Sequence, residues 1–472
     1  MRNTTAAART VQTRPHAARR KDLLTALLIF ASTALIFLAS HVHQMADSRY
    51  SILLSQSLLR QHSFTLDSYR WPPQTPRPQV GYNSYGDFYQ LETVGAHIYY
   101  FFPPGSSLLS LPYVALLNAC GVSAANADGT YNQRGEVLIQ VSLAALLMAG
   151  LAAIFFCTSR LLLSWRWSVA VALGGALGTQ VWSTASRALW SDTWGIFLLG
   201  LVVWQLLADE RRAARLRPML LATTLAWLYF VRPTYAIPIL AVTIYLCLYR
   251  RALLLPYALA GAAWAALLAG YSLYHFGQPL PHYYSARRLH FGAFPVAFAG
   301  NLVSPARGLL VYVPALIFVG YLLLRYARTL PCQRLAVMAG CVVAAHLVIV
   351  AGFDPWWGGH SYGPRYTTGL VPWFVLLAMI GLKGMQNRQA QLRAAGAQVD
   401  GRALIVCGAV LLALSVLINA RGALAHATWR WNVQPVNVDE HPERVWDWRD
   451  PQFLARERPD KDEAGRLRGE QR

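Results

Sequence analysis

Two side chains in this chain could do acid–base and phosphate chemistry. Asp47 stands just beyond the first apolar run, and Arg365 ends the late segment Trp356-Trp357-Gly358-Gly359-His360-Ser361-Tyr362-Gly363-Pro364. A positioned carboxylate can take a proton from a hydroxyl as general base. A guanidinium grips a phosphate with two parallel N–H donors, and glycines let backbone approach a ligand closely. Each residue also has a plainer reading. Asp47 could be only the N-cap of a helix over 47–59, although no Glu or Gln sits three residues on to complete a capping box. Arg365 could snorkel from an aromatic belt. Further polar residues gather in the same kind of place: Arg187, Asp192, Arg232, Asp354 and the loop 275–308, with His282, Arg287, Arg288, His290 and Arg307. A loop of that length with so many aromatics is usually functional.

The elements that must position these groups are membrane helices. Of 472 residues 55% are hydrophobic and 14% charged, well below the roughly 25% charge of a soluble chain. Apolar runs of spanning length recur without the alternation of a membrane barrel, so they read as helices. Eleven spans are expected, near 23–40, 136–157, 168–182, 195–208, 217–231, 234–249, 253–274, 309–325, 335–352, 366–382 and 403–420. The fold class is all-α and polytopic. The first run follows a basic segment and reads as an uncleaved signal anchor.

The stretch 98–121 carries Pro103, Pro104, Gly105 and Pro112, which break a simple span. Read as re-entrant or interfacial, it leaves alternate loops in two sets. The set containing the basic N-terminus (1–22) holds the larger share of Lys and Arg in the shorter loops, and is therefore cytoplasmic. The first loop, 41–135, and the tail, 421–472, then fall outside the cytoplasm, the tail partly disordered beyond about Glu457. Eight of the twelve histidines fall in external loops. Tyr50, Leu53, Leu54 and Leu58 form one helical stripe, expected to lie on the membrane surface. The net charge of +20 is spent on loop orientation and comes without base-stacking motifs, which argues against nucleic acid. The six cysteines show no CxxC spacing for a thiolate metal site.

The order and sidedness of these features resemble the GT-C class of integral-membrane glycosyltransferases, in particular bacterial relatives of protein mannosyltransferases and of the aminoarabinose transferase of lipid A. The matching features are Asp47 after the first span, the helix behind it, the aromatic Pro-Pro-Gly stretch Tyr99–Pro112, and Gly359–Tyr366 before a late span. The resemblance implies a bacterial inner-membrane enzyme with a periplasmic site, taking a sugar from a polyprenyl-phosphate donor in membrane lipid to an envelope acceptor. It implies Asp47 as general base, with Arg365, Arg287 and Arg288 on the donor phosphate. Tyr85, Asp87, Glu92, Tyr99, His360 and Tyr362 would line the donor and acceptor pocket. The paired acidic motif of many relatives is not present, since Ser48 follows Asp47. One carboxylate is a poor site for a divalent cation, so no cofactor and no metal are expected, unless Asp87 or Glu92 folds back as a second acid. Alternatives are a polysaccharide polymerase or ligase and a lipid or solute transporter. The transporter would need polar residues through the bilayer midplane.

Overall fold

The computed structural model describes residues 16–72, 84–85, 88–285, 289–397 and 401–457. The chain opens with α1 (His16–Leu38) and α2 (Ser51–Gln61). A small sheet follows, made of β1 (Ser84–Tyr85), β2 (Phe88–Val94) and β3 (His97–Tyr100). Two short helices, α3 (Gly105–Leu109) and α4 (Leu111–Ala119), lead to the long α5 (Gln133–Ser159). Then come α6 (Trp165–Leu177), α7 (Ser191–Glu210), α8 (Pro218–Val231), α9 (Ala236–Tyr249) and α10 (Leu254–Phe276). The last third holds α11 (Phe294–Val303), α12 (Leu309–Tyr312), α13 (Ala315–Arg325), α14 (Gln333–Ala351), α15 (Val371–Ala394), α16 (Arg402–Leu424) and α17 (His426–Arg430).

Among the described residues seven helices are long and apolar enough to cross a membrane: Arg19–Leu38, Gln133–Ser159, Ser191–Glu210, Arg251–Phe276, Gln333–Ala351, Arg365–Ala394 and Arg402–Leu424. The chain is a helical membrane protein. The other four segments expected to span are helical but shorter. α6 has 13 residues, α8 and α9 have 14 each, and α13 has 11. At about 1.5 Å per residue these fall short of a hydrocarbon core of about 30 Å. The outer faces are apolar, as lipid contact requires: Leu28 and Leu35 on α1 and Leu255 and Leu259 on α10 are strongly exposed. α15 is the central post, with Trp373 and Leu376 fully buried.

The stretch 98–121 forms no crossing helix. Pro103 and Pro104 end β3's chain direction, and α3 and α4 have only 5 and 9 residues. The sheet around it is the departure from an all-helical reading. β2 pairs antiparallel with both neighbours, Val94 opposite His97 across a two-residue turn at Gly95, whose φ is +61°.

A second departure concerns α2. It is not an uncovered amphipathic helix: Ser51 to Ser57 are all buried, packed against α3, α4 and α5. Asp47 does not cap it. The helix starts after Tyr50, held at φ 73°, and its orphan N–H groups are taken by a distant carboxylate. Glu136, in the first turn of α5, accepts from Tyr50 N at 3.0 Å and Ile52 N at 3.1 Å, and from the Tyr131 hydroxyl at 2.6 Å.

The tail is folded as far as it is described. Residues 426–457 pack through Trp431, Val438 and Val445 in one cluster with Ala297, Ala306 and Trp356. Its anchor is Gln452, fully buried. The Gln452 Oε1 accepts from Arg307 Nη1 at 2.6 Å and Gly363 N at 3.1 Å, while Nε2 donates to the carbonyls of Ser361 and Thr428. Arg307 has no carboxylate within ion-pair distance among the described residues; Trp357, Gly359 and Ala306 carbonyls and Asn432 complete its shell. Burial pushes its guanidinium down to about 10. The segment beyond Glu457, expected to be disordered, lies outside the described residues.

Candidate functional site

The backbone at Asp47 is clamped by the small sheet. Gln90 Nε2 donates to the Ala46 carbonyl at 3.1 Å, and the Tyr100 hydroxyl donates to the Asp47 carbonyl at 2.7 Å. The side chain then reaches out of the turn. Its Oδ1 accepts from the half-exposed Tyr89 hydroxyl at 3.2 Å, and its Oδ2 forms an ion pair with Arg365 Nη2. Arg365 enters from the opposite end of the sequence. Gly363, at φ +60°, turns the chain there, and a Cβ on it would stand 2.5 Å from the Tyr312 ring. Arg365 is held flat over the buried indole of Trp190, 3.8 Å from its centre. Its Nε is buried and has no hydrogen-bond partner.

Behind this pair lies a second one. Asp192, in the first turn of α7, forms an ion pair with Arg232, both under 7% exposed. Arg232 sits where Pro233 separates α8 from α9, a break in an otherwise apolar stretch. The Pro-Pro-Gly turn buttresses this corner. Gly105 lies so close to the Phe230 carbonyl that a Cβ there would meet backbone. Phe101 and Phe102 pack against Tyr283, at 5.5 and 5.1 Å between ring centres.

Asp47, Arg365 and Arg232 open into one cavity of about 270 Å3. Tyr283 and Ser285 complete its polar end. The other end is apolar, built of Ala236 and Ile237 from α9, Ile349 from α14, and Phe353. Beyond Ile237, Leu240 and Ile244 face outward, strongly exposed. The lining therefore combines two guanidiniums and a carboxylate with apolar side chains of α9 and α14.

Of the residues singled out from the sequence, Asp47 and Arg365 are brought together. Tyr85 contributes backbone to β1, and Asp87, Arg287 and Arg288 lie outside the described residues. Four others sit away from the cavity walls. Glu92 is buried in β2, and its Oε2 lies 2.8 Å from His282 Nδ1. Burial raises its carboxyl above the usual range, and the His282 contact offsets part of that rise. It is not a second acid beside Asp47. The Tyr99 hydroxyl faces His275 at 3.2 Å. His360 meets Asn437 of the tail at 2.8 Å, and Tyr362, fully buried, donates to the Ile418 carbonyl at 2.6 Å. The carboxylate that does stand near Asp47 is Asp192, and both lie within electrostatic reach of Arg365. Asp192, Arg232 and Trp190 were not assigned to the site from sequence. Their signal was a charge at each end of an apolar helix, which in a membrane protein is rarely idle.

No protein-family model and no curated protein sequence matches this chain.

Proposed function

We propose that this protein is a membrane glycosyltransferase that moves a sugar from a polyprenyl-phosphate carrier to an acceptor at the external face of a bacterial inner membrane. The observation that carries the reading is the shared cavity of Asp47 and Arg365, whose lining joins charged groups to apolar side chains of α9 and α14. A lipid-linked sugar phosphate has that shape: an anionic head beside a long apolar tail. The phosphate binds between Arg365 and Arg232, drawing Arg365 from Asp47. The Asp47 carboxylate then takes the acceptor proton as the acceptor oxygen bonds to the sugar's anomeric carbon. The bond from that carbon to the phosphate oxygen breaks, and the lipid phosphate leaves with the electron pair, stabilised by the two guanidiniums. Phosphate is a good leaving group, so no strong general acid is needed.

The finer topology belongs to this reading. The eleven helical segments cross with the N-terminus cytoplasmic, α8 and α9 together lining the donor's path, and the 41–135 loop and the tail are periplasmic. The donor could instead carry a pyrophosphate-linked chain, as in a polymerase or ligase. A transporter is less well supported, because His346, a buried polar side chain within α14, is engaged with the Tyr366 carbonyl at 2.8 Å.

The test is the lipid that leaves the membrane with the protein. Mass spectrometry of wild type purified in native lipid is expected to find a polyprenyl phosphate or its sugar adduct, and to lose it in Arg365→Ala. Only bulk phospholipid in both samples would remove the phosphate argument.

A further inference from the structure

A second anion site lies at the other end of α7. That helix starts at Ser191, beside the Asp192–Arg232 pair, and its 20 residues extend about 30 Å, the thickness of a hydrocarbon core. At its far end, Trp204 and Gln205 together with Arg215, Arg217 and Leu220 enclose a cavity of about 540 Å3.

Its charges are uncompensated. The last turn of α7 holds two carboxylates, and both are engaged elsewhere. Asp209 pairs with Arg250 at 2.8 Å and accepts from Leu216 N, while Glu210 takes Arg250 at 3.4 Å and the Tyr245 hydroxyl at 2.9 Å. Neither Arg215 nor Arg217 has an ion pair among the described residues, and both are exposed. Arg217 is also the N-cap of the 14-residue α8, which has Pro218 in its first turn and no side-chain cap. The first N–H groups of a helix are orphans that favour an anion. One more polar group faces the space. Gln205 is 8% exposed and its Oε1 has no hydrogen-bond partner. Rotation of the amide would turn its NH2 toward an anion instead. The remaining wall is apolar: Trp204 and Leu220 are 38% and 49% exposed on the helix surface, the placement of side chains at a membrane boundary.

We infer that this cavity binds the phosphodiester headgroup of an anionic phospholipid, on the membrane face opposite the Asp47 cavity. Arg215, Arg217 and the start of α8 take the phosphate, and Trp204 and Leu220 lie along the acyl chains.

The test is native mass spectrometry of the full-length protein titrated with dioleoylphosphatidylglycerol or dioleoylphosphatidylcholine. Wild type is expected to retain the glycerol lipid over the choline lipid. Arg215→Gln with Arg217→Gln is expected to weaken that binding about 30-fold, at about fivefold for each guanidinium. Arg211→Gln with Arg212→Gln removes the same charge from the same loop outside the cavity, and is expected to leave binding unchanged. Should the first double variant fail to accumulate, Gln205→Leu removes the amide without touching charge and is expected to weaken binding several-fold. Displacement of the lipid by inorganic phosphate would identify the free ion as a sufficient ligand of the same atoms, and resistance to it would assign the site to the headgroup with its chains. Equal retention of both lipids by wild type, or the same loss in both double variants, would overturn the inference.

Discussion

Asp47 and Arg365, 318 residues apart, close an ion pair at the mouth of one cavity. Under the proposed function, a carboxylate held by the arginine that is to bind phosphate is a base kept in check until the donor arrives. Asp47→Asn keeps the size and the Tyr89 contact but removes the proton acceptor. Transfer from the co-purified donor is expected to fall about 10²–10⁴-fold, while the lipid still co-purifies. Following sugar loss from the bound lipid by mass spectrometry separates the two effects. Turnover at the wild-type rate would exclude Asp47 as the base.

The Asp192–Arg232 pair makes a different demand. Both partners are buried, so removing one strands the other charge. Asp192→Leu is expected to cost about 3–5 kcal/mol, whereas Asp192→Leu with Arg232→Met should recover much of it. Thermal unfolding of the purified protein measures both. If the double replacement is as unstable as the single, the pair is not the unit of stability here.

Seven long apolar helices were legible in the sequence because an apolar run has only one way to satisfy its backbone in lipid. Asp47 and Arg365 were legible because charge at the end of such a run is conspicuous. What was hidden depended on long-range partners. Asp47 resembles an N-cap until Glu136, 86 residues from Tyr50, is seen taking that role. The hairpin of β2 and β3 ends in an aromatic stretch whose prolines dominate its pattern. Tyr362 and His360 sit in the same glycine-rich segment as Arg365, yet alternate directions of the chain send them to α16 and to the tail. Nothing in the composition of the tail marks Gln452 as the anchor of Arg307.

Two carboxyls of the first loop give opposite pH dependences. Burial raises Glu92 above its ordinary 4.5, with His282 opposing, so the folded protein holds that proton more tightly than the unfolded chain. Its contribution is complete below about 4.5 and is lost as pH rises through the folded value. For Asp67, burial is outweighed by the Ile98 N–H, His97 and Thr65, which hold it below 3.8. Its contribution is present above 3.8 and is lost as pH falls through the depressed value. In melting temperatures measured against pH, Glu92→Gln is expected to flatten the decline on the alkaline side of 4.5, and Asp67→Asn the decline on the acid side of 3.8. A profile unchanged in both variants would contradict these assignments.

Gln452 links the tail to the segment that carries Arg365. Truncating it strands the Gly363 N–H and two carbonyls in a buried site and removes one of the five hydrogen bonds of the Arg307 guanidinium. Each stranded buried group costs about 1–3 kcal/mol, so Gln452→Ala is expected to loosen 356–365 before it unfolds the helices. Hydrogen exchange should show faster exchange there and in 426–457, with α5 and α15 unchanged. Uniform acceleration across the chain would mean that the tail stabilises the fold as a whole.

The apolar end of the cavity separates a lipid-linked donor from a soluble one. Ile349 and Ile237 carry no charge, yet both line the cavity, and Leu240 and Ile244 further along α9 are strongly exposed. Ile349→Trp fills that space with a larger side chain and leaves Asp47, Arg232 and Arg365 in place. If the tail of the donor lies there, the variant is expected to lose the co-purifying polyprenyl lipid about as completely as Arg365→Ala does, although its phosphate-binding residues are unaltered. A small anionic headgroup without a tail would be indifferent to the change. Retention of the lipid at the wild-type level would place the tail elsewhere and leave the polar end of the cavity as a site for a water-soluble phosphate.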